Sequence, residues 1–147
     1  MTDVERYLYG YRDLERKKKI LENDLRDAKE EYKAQQESLL MPSKQTEVKT
    51  SKTNKITDPV QDAVIKIVDV YRKRVDRISR ELAQVTGEQD SILETIKSAG
   101  LTVMEESYIR YRYIKGMSTW ATAQRMGYSE RWAQRYRGSA LKKISLK

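Results

Sequence analysis

A chain of 147 residues holds one domain or two small ones. It has no Cys and no His, which removes thiolate and imidazole zinc sites, Cys and His nucleophiles and disulfide frameworks, and no metal or cofactor is expected. Its 30 Lys and Arg exceed its 22 Asp and Glu for a net charge of +8, and the excess is local: residues 101–147 carry 10 basic and 3 acidic groups, against 9 and 10 in residues 1–41 and 7 and 7 in residues 59–100.

A basic excess confined to one short segment suits a polyanion-binding surface, because phosphate contacts release counterions. No run of about 18 apolar residues is present to span a bilayer, and MTDVERYLYG lacks the basic start and apolar core of a signal peptide. A cytosolic location is expected. With 2 Pro, 6 Gly, no Phe and 35% charged residues, the composition favours long helices and an all-α fold.

Thr2 and Glu5 form a T-x-x-E capping box, so a helix should begin at once. Val4, Tyr7, Tyr11, Leu14, Leu21, Leu25, Ala28, Tyr32 and Leu39 then recur in steps of three and four, with Lys18 and Gln35 as the polar members of the seam. This is a heptad repeat, and the basic run at residues 16–19 reads as a solvated coiled-coil face because acids surround it. The repeat stops near Met41 and Pro42. SKQTEVKTSKTNKIT has no periodicity and is rich in Lys, Ser and Thr, so residues 42–58 read as a mobile loop.

Asp58 and Pro59 restart a helix, with Asp as the cap and Pro at the first helical position. The second seam runs Val64, Ile67, Tyr71, Val75, Ile78, Leu82, Val85, Gln89, Ile92 and Ile96, with a stutter between Ile67 and Val75. Two matched seams joined by a loop predict a long antiparallel helical hairpin over residues 1–100. Leu8, Ile20, Val60, Val68 and Val70 widen its apolar stripes beyond what one partner helix covers. A second hairpin from a twofold-related chain, making a homodimer, is therefore expected.

Gly100 ends the coiled coil, and residues 101–147 read as a separate small domain. Thr102 and Glu105 form a second capping box that opens a helix through Met104, Tyr108, Tyr111 and Ile114, ended by Gly116. Ser118 can cap a short helix through Met126, Gly127 can make a tight turn, and Ser129 can cap a last helix to about Ile144. Two helices across a Gly-containing turn, the second richer in Arg, are a helix-turn-helix. On the last helix Ala133, Tyr136, Ala140 and Ile144 form a core stripe flanked by Leu141, which leaves Glu130, Arg131, Gln134 and Arg135 outward. Arg suits guanine O6 and N7, Gln suits adenine N6 and N7, and Glu accepts from cytosine N4, so these four are candidate readers of double-stranded DNA. Arg137, farther round, is a candidate phosphate contact, and Ser118, Thr119 and Ser129 at the two helix starts complete the DNA-binding set.

The stretch ESYIRYRYIKGMSTWATAQRMGYSERWAQRYRGSALKKI resembles the region 4 helix-turn-helix of bacterial sigma factors, notably at Arg112-Tyr113, Gly116, Ser118, Ala123, Met126-Gly127, Ser129 and Ala140-Leu141-Lys142-Lys143. Joined to a heptad hairpin opening VERYLYGYRDLERKKKIL and continuing DPVQDAVIKIVD, it is similar to the ArpU/RinA-type phage and prophage transcriptional regulators. The resemblance implies that Glu130, Arg131, Gln134 and Arg135, the first, second, fifth and sixth residues after the cap, meet bases. It also implies an activator of late phage or prophage genes in a bacterial host cytoplasm, with RNA polymerase as a further candidate partner. Thr122 and Ala133 depart from the β-branched aliphatic residues usual in that pattern, and Trp120 and Ala121 replace polar ones. Trp120 and Trp132 are expected to fill the altered core, unless one faces DNA or the hairpin. Gly138 in mid-helix would permit close approach of DNA or another helix.

Two readings compete with a transcriptional regulator. A phage terminase small subunit also joins a helix-turn-helix to an oligomerising helical segment, and a structural coiled-coil adaptor could carry a basic tail for acidic protein or RNA. Catalysis is not expected: the heptads account for the carboxylates as exposed charge, and no G-x-x-x-x-G-K-[ST] loop is present.

Overall fold

The computed structural model describes residues 1–40 and 59–146. The expected mobile loop at residues 42–58, with its Asp58 cap, lies outside the described residues. The fold is all-α: a long antiparallel pair, α1 (Asp3–Leu40) and α2 (Pro59–Ser98), precedes a small domain of short helices. These are α3 (Val103–Ile109), which continues as a π-helical segment (Arg110–Ile114), α4 (Thr119–Met126) and α5 (Glu130–Lys143). No described helix is long and apolar enough to cross a membrane.

The capping boxes form. Thr2 Oγ1 accepts from the Glu5 N–H at 3.2 Å while Glu5 Oε2 accepts from the Thr2 N–H at 3.1 Å, satisfying donors that a helix start otherwise leaves open. Thr102 accepts from the Glu105 N–H at 3.3 Å, and Ser118 and Ser129 accept from the N–H groups of Ala121 and Trp132. Gly116 and Gly127 stop their helices at φ +72° and +77°, a region that L side chains enter only with strain. At Gly116 a β-carbon would also strike the Arg12 guanidinium.

The helix after Thr102 does not run as a uniform α-helix to Ile114. Its last turn widens, with the Lys115 N–H donating to the Arg110 carbonyl at 2.8 Å and the Met117 N–H to the Tyr111 carbonyl at 3.0 Å. The extra residue per turn is a π-helical feature that resets which side chains face inward. Tyr108, Ile109 and Tyr113 are all buried.

The chain divides into two compact units, residues 1–19 with 83–147, and residues 20–82. In the first unit Leu8, Ile92 and Ile96 join Tyr108, Ile109, Tyr113, Ala123, Ala133, Ala140 and Ile144 in one buried cluster. Leu8, expected to widen a stripe for a second chain, is fully buried within its own chain. Tyr7 and Thr95 hydroxyls pair at 3.1 Å, and Gln89 donates to Glu15 at 2.7 Å, which accounts for the polar member of the second seam.

In the second unit Leu21, Ala28 and Ile78 are buried along the seam. Tyr32 and Tyr71 stack with ring centres 4.2 Å apart, and Arg74 pairs with Glu31 at 2.6 Å. Of the stripe-widening positions, Ile20, Val60 and Val70 are exposed, as is Val64, which the heptad pattern placed in the seam.

Candidate nucleic-acid interface

Gly127 places α5 across the turn from α4, and both helices pack into the cluster through small residues. Ala123 is buried on α4; Ala133 and Ala140 are buried on α5 and Ile144 just past its end, with Tyr136 and Leu141 half-buried beside them. The opposite side of α5 is then solvent-facing, because 3.6 residues per turn put positions 131, 135 and 138 across from 133, 140 and 144. Glu130, Arg131, Gln134 and Arg135 are all exposed, as the stripe on the last helix requires. Two guanidiniums and one carboxamide thus stand on two successive turns of one helix, groups that match base edges.

The two tryptophans correct the expectation that they fill the small core. Trp120 is 62% and Trp132 51% exposed. The aromatic bulk of the buried cluster comes from Tyr108 and Tyr113 beside the alanines at 123, 133 and 140, and Trp132 stands about 100° round α5 from Ala133. Trp132 lies under the Arg135 guanidinium, 4.6 Å from ring centre to Cζ, a cation–π arrangement on the exposed side of α5.

Arg137, the candidate phosphate contact, is paired within its own chain. Its Nε donates to Glu5 Oε1 at 3.1 Å and its terminal nitrogen pairs with the same oxygen, which also accepts from the Tyr113 hydroxyl at 2.9 Å. Glu5 is buried at the start of α1. Burial pushes its carboxyl up, but the Thr2 N–H, the Arg137 guanidinium and the Tyr113 hydroxyl outweigh that and hold it below the ordinary glutamate value. The carboxylate in turn pushes the Arg137 pKa up, and burial pushes the Tyr113 hydroxyl up. The three groups form a charged, hydrogen-bonded clasp between α1, the π-helical segment and α5.

Beside this clasp a polar recess of about 420 Å³ is lined by Thr119, Gln134, Arg112, Arg137, Tyr9 and Tyr108 among others. Of the sequence-derived candidates, the structure therefore brings Thr119, Gln134 and Arg137 to one recess, with Arg131 and Arg135 on the open face of α5. Ser118 and Ser129 are exposed, and each hydroxyl accepts from its own helix start. Arg112 is the recess residue that the helix-turn-helix pattern did not assign to DNA. It sits 5.5 and 5.8 Å from the ring centres of Tyr9 and Tyr113 and donates to the Met117 carbonyl at 3.2 Å. Nothing in the local sequence signals this placement, since Tyr9 is about a hundred residues away and the T-x-x-E box already accounts for Glu5.

A second buried acid stands on the same domain. Glu105 accepts from Lys143 at 2.7 Å and from the Thr102 hydroxyl at 3.0 Å, tying the start of α3 to the end of α5. Burial raises its carboxyl, and Lys143 with Thr102 lowers it further than burial raises it. No group of three or more His, Cys, Asp or Glu side chains that could hold a metal occurs among the described residues. No family model, curated protein or solved structure matches the chain.

Proposed function

We propose that the protein is a sequence-specific, double-stranded-DNA-binding transcriptional regulator that enters the major groove with α5 and acts as a homodimer through its hairpin. The observation that carries the reading is the exposed set Glu130, Arg131, Gln134 and Arg135 on the first two turns of α5, held outward by Ala133, Ala140 and Ile144 beneath. The net charge of +7 in residues 101–147, from 10 basic and 3 acidic groups, supplies the attraction for phosphates. Ser118 and Thr119 at the start of α4 are placed for backbone contacts. Activation of late phage or prophage genes, and contact with RNA polymerase, rest on the sequence resemblance alone.

The test is to select a preferred duplex from a random pool and titrate variants against it and a scrambled duplex at several salt concentrations. Arg131→Ala, Gln134→Ala and Arg135→Ala should each cost about 1–3 kcal/mol on the preferred duplex and relax preference at one position, with nonspecific binding nearly intact. Equal losses on both duplexes would make α5 a merely basic surface. Enrichment of a packaging site in DNA recovered from host cells, in place of sites upstream of genes, would favour a terminase small subunit.

A further inference from the structure

On a helix whose other exposed residues are all polar or charged, Trp132 is a half-exposed aromatic residue. The fold does not need it there. The core beneath is closed by Ala133 and Ala140, and the Ser129 cap engages only the Trp132 backbone N–H. An exposed indole on a polar face gains free energy when a partner covers it with apolar surface. In the major groove the apolar group that base pairs present is the thymine 5-methyl. Around the helix axis Trp132 lies on one flank of the outward face and Gln134 on the other, with Arg131 and Arg135 between them. The Arg135 guanidinium stacks over the indole at 4.6 Å, which limits the directions in which its planar fork can point.

We infer that Trp132 is a base-reading residue of α5 that recognises a thymine through its 5-methyl group, next to the base pair read by Arg135. The inference rests on the DNA-binding reading above and deepens it by naming the base. Stacking fixes the two side chains as one unit, so the thymine and the Arg135 base occupy neighbouring steps. A guanine is the natural partner of that fork, through O6 and N7.

The experiment uses the full chain and the duplex selected from the random pool. Each thymine is replaced singly by deoxyuridine, which removes the methyl and leaves the Watson–Crick pairing intact. The native protein should lose about fourfold in affinity at one position, the value of a single buried methyl-sized group. With Trp132→Ala that loss should vanish, and with Trp132→Phe, which keeps an apolar ring, it should persist in part. Arg135→Ala should relax preference at the adjoining step. Circular dichroism of the variants should match the native chain, because the indole is outside the core. If no deoxyuridine position matters, or if the loss persists in Trp132→Ala, the thymine assignment falls while the duplex preference still supports a regulator. If selection yields no preferred duplex, both fall together.

Discussion

Glu5 shows how one side chain can belong to two levels of structure. Its backbone and one carboxylate oxygen complete the first capping box, and the other oxygen holds Arg137 and Tyr113 from the opposite end of the sequence. Because the folded carboxyl is held below its ordinary value, its interactions stabilise the fold fully above about pH 4.3, the unperturbed glutamate value, and are lost as pH falls through the lowered one. Glu105 contributes in the same direction. Urea denaturation of the native chain should therefore show stability dropping steeply below about pH 4, and Glu5→Gln should flatten that acid limb. At neutral pH Glu5→Gln should lower stability by about 2 kcal/mol, and Arg137→Ala by less, because its guanidinium is partly exposed. Their effects should be strongly non-additive, since each removes the other's partner. Arg137→Ala should leave the salt dependence of DNA binding unchanged; a decrease of about one unit in its slope would return Arg137 to the phosphate role that its position on α5 first indicated.

Among the elements, α5 carries a glycine where regular helix geometry does not ask for one. Gly138 is helical, and a β-carbon there would meet nothing within 4 Å. Gly138→Ala should thus stabilise the fold by up to about 1 kcal/mol, the usual helix-interior difference. Position 138 lies on the outward side near Arg131 and Arg135, where, on the DNA-binding proposal, the missing side chain would let the groove come close. The same substitution should weaken binding to the preferred duplex severalfold while raising the denaturation midpoint; unchanged affinity would show that α5 keeps its distance from the groove at this point. The starts and stops of these helices were legible because capping is local: Thr2, Thr102, Ser118, Ser129, Gly116 and Gly127 each act within a few residues. The widened turn at Arg110–Ile114 was not, since its sequence reads equally well as α-helix and its cause is tertiary packing of Tyr108 and Tyr113. The exposure of Trp120 and Trp132 was hidden for a related reason. Side-chain size argues for burial, but the space is set by residues that arrive from α1, α2 and α3.

For the whole molecule, heptad periodicity accounts for the long pair, and the apolar residues it leaves uncovered bear on assembly. Leu8 no longer argues for a second chain, being buried in the hydrophobic cluster of its own chain. Within residues 20–82, however, Ile20, Ile65 and Val70 are 60%, 52% and 66% exposed. Ile65 and Val70 flank the seam formed by Ile67, Tyr71 and Ile78, so they can be altered without entering it. Five residues of helix put the two about 140° apart, on either side of that seam, so a second hairpin laid over one side would cover part of this aliphatic surface, and a twofold pairing would match a palindromic site on DNA. The Ile65→Asp and Val70→Asp double variant should therefore run as a monomer in light scattering while keeping its helicity, because the two charges stay in water when the dimer is lost. Ile78→Asp should behave differently: it places an unpaired charge at a position 3% exposed. That variant should lose helicity and stability at any protein concentration. A native chain that scatters as a monomer, or a double variant that retains twice the chain mass, would remove the hairpin as the dimer interface and leave the exposed aliphatics as isolated surface residues.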